Sequence, residues 1–148
     1  ATRLWQKRVS GGHVSVGYLL HAGQPRIVAV SRQLVGRGWC RASPFAYCGS
    51  IDLDVTTLDA VVALQVTRLG KLLAGHFGLV GLVGADLVVD AWKRVWVIEI
   101  NPRPTASMEL TERAIDSSLA AMHLGAFGIK CPGRFERRAR DGTWAKAI

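Results

Sequence analysis

Residues 81–107 read GLVGADLVVDAWKRVWVIEINPRPTAS. Two apolar segments, 83–90 (VGADLVVD) and 94–101 (RVWVIEIN), flank a tight connection at Ala91–Arg94, the pattern of an antiparallel hairpin. Counting back across that turn pairs Asp90 with Val95, Val88 with Val97 and Asp86 with Glu99. Strand alternation then sends Asp86, Val88, Val97, Glu99 and Asn101 to one face. Ala85, Leu87, Val89, Trp96, Ile98 and Ile100 go to the other, which is wholly apolar and is the expected core face.

Directly opposed residues in a hairpin have Cβ atoms ~4.5–5.5 Å apart. Two unshielded carboxylates that close repel by roughly a few kcal/mol at an effective dielectric of ~20. A cation between them removes that penalty. Hard divalent ions such as Mg²⁺ take carboxylate, carbonyl and phosphate oxygens, so Asp86, Glu99 and Asn101 form an oxygen-rich platform with Arg103 two residues on. The same residues admit a plainer reading: each carboxylate pairs with a surface arginine, Asn101-Pro102 ends the strand, and Arg103 is a solvated charge.

The rest of the chain places this hairpin in an α+β setting. RLWQKRV (3–9) reads as a strand, and VSVGYLL (14–20) and RIVAVS (26–31) as a hairpin about the HAGQP turn. GRGWCRASPFAYCGSID (36–52) is punctuated by Gly, Ser and Pro and reads as a long loop. A helix is expected over 58–77, capped by Thr56 or Thr57 with Asp59, with Leu58, Val61, Leu64, Leu69, Leu72 and Leu73 on its apolar stripe and Gly75 or Gly78 at its end. One more helix is expected from Met108 to Leu124, with Ser107 as N-cap and Gly125 as stop. The tail from Cys131 reads as a basic loop leading into a short strand. Hairpins without βαβ crossovers predict a largely antiparallel sheet flanked by helices.

With 148 residues, 49% apolar and 20% charged, the chain fits one globular domain. No apolar run reaches the ~18 residues of a membrane span. Cys40, Cys48 and Cys131 match no zinc spacing, so free thiols and a cytoplasmic setting are expected. The net charge of +8 is uneven: residues 1–51 hold seven Lys or Arg and no Asp or Glu, and a second basic cluster runs from Lys130 to Arg140. Such a field favours a nucleotide, a phosphorylated substrate or nucleic acid, or else belongs to a solvated surface. No nucleic-acid-binding motif accompanies it.

Residues 81–107 resemble the metal-binding segment of the ATP-grasp superfamily, which includes biotin carboxylase and D-alanine ligase. The resemblance implies that Asp86, Glu99 and Asn101 hold the Mg²⁺ (or Mn²⁺) that bridges ATP phosphates, and that Arg103 contacts phosphate or an acyl-phosphate intermediate. Upstream, WQKRVSGGHVSVGYLL is similar to the hinge strand and following strand of that fold. Gln6 then stands where relatives commonly carry Glu, Lys7 and Val9 offer backbone groups to adenine, and His13 falls at a ribose-contacting position. SRQLVG…SPFAYCGSI and NPRPTASMELTERA most resemble predicted ATP-dependent carboligases related to biotin carboxylase. The nearest candidate for a carboxylase-like base, Glu109, lies two residues later than in that pattern. The resemblance implies the later portion, over 1–148, of a single incomplete ATP-grasp domain, whose preceding domain and first half-lobe lie elsewhere in the same protein. The implied activity is an ATP- and Mg²⁺-dependent ligase acting on a small carboxylate, with little turnover from these residues alone. A non-catalytic remnant or a basic nucleic-acid-binding module are the alternatives.

Overall fold

The computed structural model describes residues 5, 7–115, 117–131 and 143–147. Its frame is one six-stranded antiparallel sheet. The strands are β1 (Gly12–His21), β2 (Gln24–Val35), β3 (Tyr47–Leu53), β4 (Gly81–Val89), β5 (Val95–Asn101) and β6 (Ala145–Ala147), in the order β5-β4-β1-β2-β3-β6. Helix α1 (Ala60–Lys71) follows β3, and α2 (Met108–Ile115) and α3 (Leu119–Ala126) follow β5. The α+β class, the antiparallel pairing and the short strand in the tail are as expected. Among the described residues no helix is long and apolar enough to cross a membrane.

β1 and β2 turn back at Ala22 and Gly23, whose φ values of 49° and 73° fit the two-residue turn that matches strand twist. The strand expected over 3–9 is not found where it can be seen: residues 7–10 are irregular and β1 starts at Gly12. The long loop is also shorter than expected, because residues 47–52 belong to β3. Alternation decides this: Cys48, Ser50 and Asp52 are buried between β2 and β6 while Tyr47 is exposed.

Asp59 itself caps α1, its side chain accepting from the Val61 N–H, while Thr56 and Thr57 lie in a separate 3-10 turn capped by Asp54. The helix continues through a π-helical turn at Leu72–His76. Its buried stripe is Val62, Val66, Gly70 and Leu73, whereas Val61, Leu64 and Leu72 face solvent. Contact with the sheet is close: a Cβ on Gly70 would lie 2.9 Å from Pro25 Cβ and Tyr18 Cε1. The single late helix is two, because Ser118 caps a new one by accepting from the Ala121 N–H.

The sheet has two unlike faces. On one, Val16, Tyr18, Leu20, Val83, Ala85 and Leu87 pack beneath α1 in the main core, and the Tyr18 hydroxyl donates to Val66 O at 2.9 Å. On the other, Val28, Ala29, Leu82 and Met108 form a smaller core with Leu119 and Met122 of α3. That second core covers only part of its face.

The β4–β5 hairpin carries a correction. Its pairs are Gly84–Asn101, Ala85–Ile100 and Asp86–Glu99, then Leu87–Val97, Val88–Trp96 and Val89–Val95, with a bulge at Ile98. Asp86–Glu99 is as counted, but Val88–Val97 and Asp90–Val95 are not paired. An inserted residue shifts everything beyond it by one and re-aims the side chains. Trp96 and Ile98 therefore leave the expected core face and stand 37% and 49% exposed, and Val95 joins the α1 core instead. The turn is organised by Asp90, whose carboxylate accepts from the Trp92 and Arg94 N–H groups, Arg94 Nε and Trp96 Nε1. Burial raises the Asp90 carboxyl, but those hydrogen bonds outweigh it and hold it down at about 2.

Candidate functional site

Where the second core ends, the sheet presents polar groups in register. Cα partners run Glu99–Asp86 across β5 and β4, Asp86–Ser15 to β1, Ser15–Ser31 to β2 and Ser31–Asp52 to β3. Opposed residues of antiparallel strands project to the same side. One polar row thus crosses five strands, with a carboxylate at its inner end on β3 and two at the open β4–β5 end.

The segment after β5 folds back over this row. Arg103 N donates to Asn101 O at 2.7 Å, closing a tight turn before α2. Ser107 Oγ donates to Ser15 Oγ at 3.0 Å and lies 3.1 Å from Thr105 Oγ1. Gly84 makes this approach possible, because a Cβ there would collide with Thr105 Cγ2. On the inner side, Thr111 of α2 donates to Asp52 Oδ1 at 2.9 Å. Helix α2 is thereby fastened to the sheet by buried hydroxyls at Ser107 and Thr111.

Between the row and the segment lies a cavity of about 490 Å³. Asp86, Glu99, Asn101 and Arg103 all line it, with His13, Gln33 and Thr105. Val35, Phe45, Tyr47, Ile98, Ala106 and Ser107 complete its wall. The structure therefore brings together five of the residues singled out from the sequence: Asp86, Glu99, Asn101, Arg103 and His13. Lys7 is exposed, Val9 half-buried, and neither lines the cavity; Gln6 lies outside the described residues, as do Arg134–Arg140 of the basic tail.

Gln33 is the residue that sequence reasoning missed. Its Nε2 donates to Asp86 Oδ1 at 2.9 Å from the neighbouring hairpin. Gln33 follows Ser31 by two on β2 and so faces the same side, which points to Asp86 only once β1 is known to pair with β4. Phe45 and Tyr47 reach the cavity from the segment that the sequence marks as a loop.

The charge pattern can be tested against a divalent cation. Among the described residues neither Asp86 nor Glu99 has an ion pair, while Asp59 and Asp90 have one each and Glu109 has two. No group of three His, Cys, Asp or Glu that could hold a metal occurs among these residues, so a shell built on the two carboxylates would be completed by amide, water or phosphate oxygen. Asn101, buried two residues from Glu99, supplies such an oxygen. Two opposed carboxylates and an amide facing a cavity suit a hard cation that also carries phosphate or water. Arg103, whose side chain among the described residues donates from Nη1 to the adjacent Pro104 O at 3.2 Å, keeps further guanidinium donors for an anion.

A family model described as the ATP-grasp domain matches residues 1–107. No curated protein sequence matches the chain. Among solved structures, N5-carboxyaminoimidazole ribonucleotide synthetase in complex with ADP is similar at 20% identity and a TM-score of 0.65, over 85% of this chain and 31% of that one. The biotin carboxylase domain of 2-oxoglutarate carboxylase from Hydrogenobacter thermophilus, solved with MgADP and bicarbonate, is similar at 16% identity and a TM-score of 0.62, over 89% and 28%. L-amino acid ligase from Bacillus licheniformis gives 16%, 0.62, 79% and 29%. At these identities the likeness is one of fold, and the chain spans about three tenths of the length of the structures it resembles.

Proposed function

The chain belongs to the ATP-grasp domain family, and from that premise we propose that it supplies the metal- and phosphate-binding lobe of an ATP-dependent ligase. The reaction passes a phosphoryl group from ATP to a small carboxylate, and an amine or other nucleophile then displaces phosphate from the acyl phosphate. The observation that carries this reading is the Asp86–Glu99 pair, opposed across β4 and β5 and facing the cavity, with neither carboxylate in an ion pair among the described residues.

Phosphoryl transfer asks a protein mainly for positioning and charge neutralisation. Asp86, Glu99 and Asn101 would hold Mg²⁺, or Mn²⁺ in its place, which when bound would supply positive charge to neutralise the nucleotide phosphates. Gln33 keeps the Asp86 carboxylate from rotating by holding Oδ1, so that its other oxygen can turn toward Glu99. Arg103 stabilises negative charge on the transferring group. His13, at the start of β1, contacts the nucleotide sugar, while the backbone at Lys7 and Val9, with Gln6, serves the base. The strand-to-helix segment 102–107 closes one side of the cavity against water. One similar structure holds ADP, another MgADP with bicarbonate, and a third is an amino-acid ligase, which supports nucleotide and carboxylate as the substrate classes.

Glu99→Gln in the full-length protein tests the assignment. Mg²⁺-dependent ATP turnover should fall by about 100-fold, as when one preorganised charge-stabilising group is removed. Turnover unchanged at every Mg²⁺ concentration would sink the metal assignment. A non-catalytic reading rests on the partial coverage of relatives; it requires that the full-length protein turn over no ATP with any carboxylate offered.

A further inference from the structure

Between β2 and β3, the two limbs of the 36–46 segment are held against each other. Gly36 N donates to Ala46 O at 2.9 Å, and a Cβ on Gly36 would collide with Pro44 O. Arg37 then ties both cysteines of this region to one residue. Its N–H donates to Cys48 Sγ at 3.4 Å, and its carbonyl accepts from the Cys40 N–H at 3.0 Å. Cys40 closes the 3-10 turn Gly38–Cys40, and left-handed Arg41, with φ 52°, reverses the chain directly after it. Cys48 Sγ is buried and donates to Ala46 O at 3.3 Å, while Cys40 is half-buried. Burial and the adjacent Cys48 thiol hold the Cys40 thiol above its ordinary range. Arg37 thus holds the Cys48 sulfur at its N–H and the Cys40 backbone at its carbonyl, which brings the two cysteines to one residue's span of each other.

We propose that Cys40 and Cys48 are an oxidisable dithiol site whose partner is a low-molecular-weight disulfide. Cys40, the more accessible, attacks one sulfur of that disulfide through the small thiolate fraction its raised thiol supplies, a fraction that grows toward alkaline pH, breaking the S–S bond and releasing one thiol. Cys48 then attacks Cys40 sulfur in the mixed disulfide, forming the Cys40–Cys48 bond and releasing the second thiol. Two protein thiols are oxidised, one disulfide is reduced to two thiols, and the two protons pass to the released thiols. Short exchange steps of this kind need the two sulfurs in reach of each other without unfolding. The bond pins the segment that carries Phe45 and leads into Tyr47, two residues of the cavity wall. Nothing in this inference depends on the ligase reading.

The test uses oxidised glutathione on the folded chain, without denaturant. The chain has three cysteines, so titratable thiols should fall from three to one. Trypsin cleaves after Arg41, and the digest should contain Cys40 linked to Cys48 with Cys131 unlinked. Hydrogen exchange at residues 38–46 should slow in the oxidised form and recover on reduction. Cys40→Ser should abolish the link, and Cys131→Ser should leave it intact. A glutathione adduct persisting on Cys40, a link to Cys131, or a link formed only after unfolding would each overturn the proposal.

Discussion

The two faces of this sheet are made by the same strands and do opposite things. Under α1, every second residue of β1 from Val16 to Leu20 and of β4 from Val83 to Leu87 is apolar and buried, and the hydroxyl of Tyr18 is turned to Val66 O. On the other side the same strands alternate out Ser15 and Asp86 beside Glu99, and the helices stop short of covering them. Burial stabilises the first face; the second accepts like-charged neighbours, which cost stability, in a place open to a ligand. The difference teaches that this fold separates the surface that holds it together from the surface that binds.

The largest effect that can break the comparison lies on the closed face. Leu20 is fully buried, so Leu20→Ala should lower the unfolding free energy by about 3 kcal/mol through lost burial and a cavity. Chemical denaturation measures this, and Mn²⁺ binding by the remaining folded molecules should be unaltered. A loss below about 1 kcal/mol would mean that α1 does not seal the core.

The turn joining β4 to β5 offers a second, smaller test, read by pH. The folded-state value of Asp90 is held at about 2, below the ordinary 3.8. A depressed carboxylate contributes stability that is complete above its unfolded value. That contribution should persist above about pH 4 and disappear as pH falls from there toward 2. Denaturant midpoints across this range should show less acid sensitivity in Asp90→Asn than in the parent chain. Equal slopes would show that the hydrogen bonds from Trp92, Arg94 and Trp96 do not distinguish the folded carboxylate.

The smallest expected change in stability belongs to the open face. Asp86→Asn keeps an oxygen for Gln33 but removes one of two opposed charges. Stability should stay level or rise by up to about 1 kcal/mol, while Mn²⁺ binding, followed by electron paramagnetic resonance, should be lost. A clear destabilisation would place Asp86 among the structural residues and erase the contrast between the faces.

How much of this was legible beforehand varies with the physics of each element. Hairpins at 14–31 and 83–101 stood out because turn residues and β-branched runs carry local information. The Asp86–Glu99 pair was reached correctly, but by two one-residue errors that cancel. The turn was taken one register off, since Val89 rather than Asp90 faces Val95, and the bulge at Ile98 restores the count. An inserted residue inside VWVIEI leaves no mark, because apolar side chains suit either face. In α1 the run AVVALQV is apolar nearly all round, so periodicity could not choose Val62 and Val66 over Val61 and Leu64. The break between α2 and α3 had a signal in Ser117 and Ser118, masked by good helix formers on both sides. Gln33 required knowing which hairpin lies beside β4, a fact set by tertiary packing.

The strand order has a consequence for how the protein is made. β1–β2 and β4–β5 are local hairpins, but the central β1–β4 contact joins segments separated by β2, β3 and α1. Local hairpins close quickly, whereas joining distant segments must first overcome the entropy of a long loop. Asp86 and Glu99 share one hairpin and meet early; Ser15 and Gln33, on the other, reach them only when the halves dock. Until then the carboxylate pair exists without the amide that steadies it, so the cavity is completed by one of the slowest events in folding.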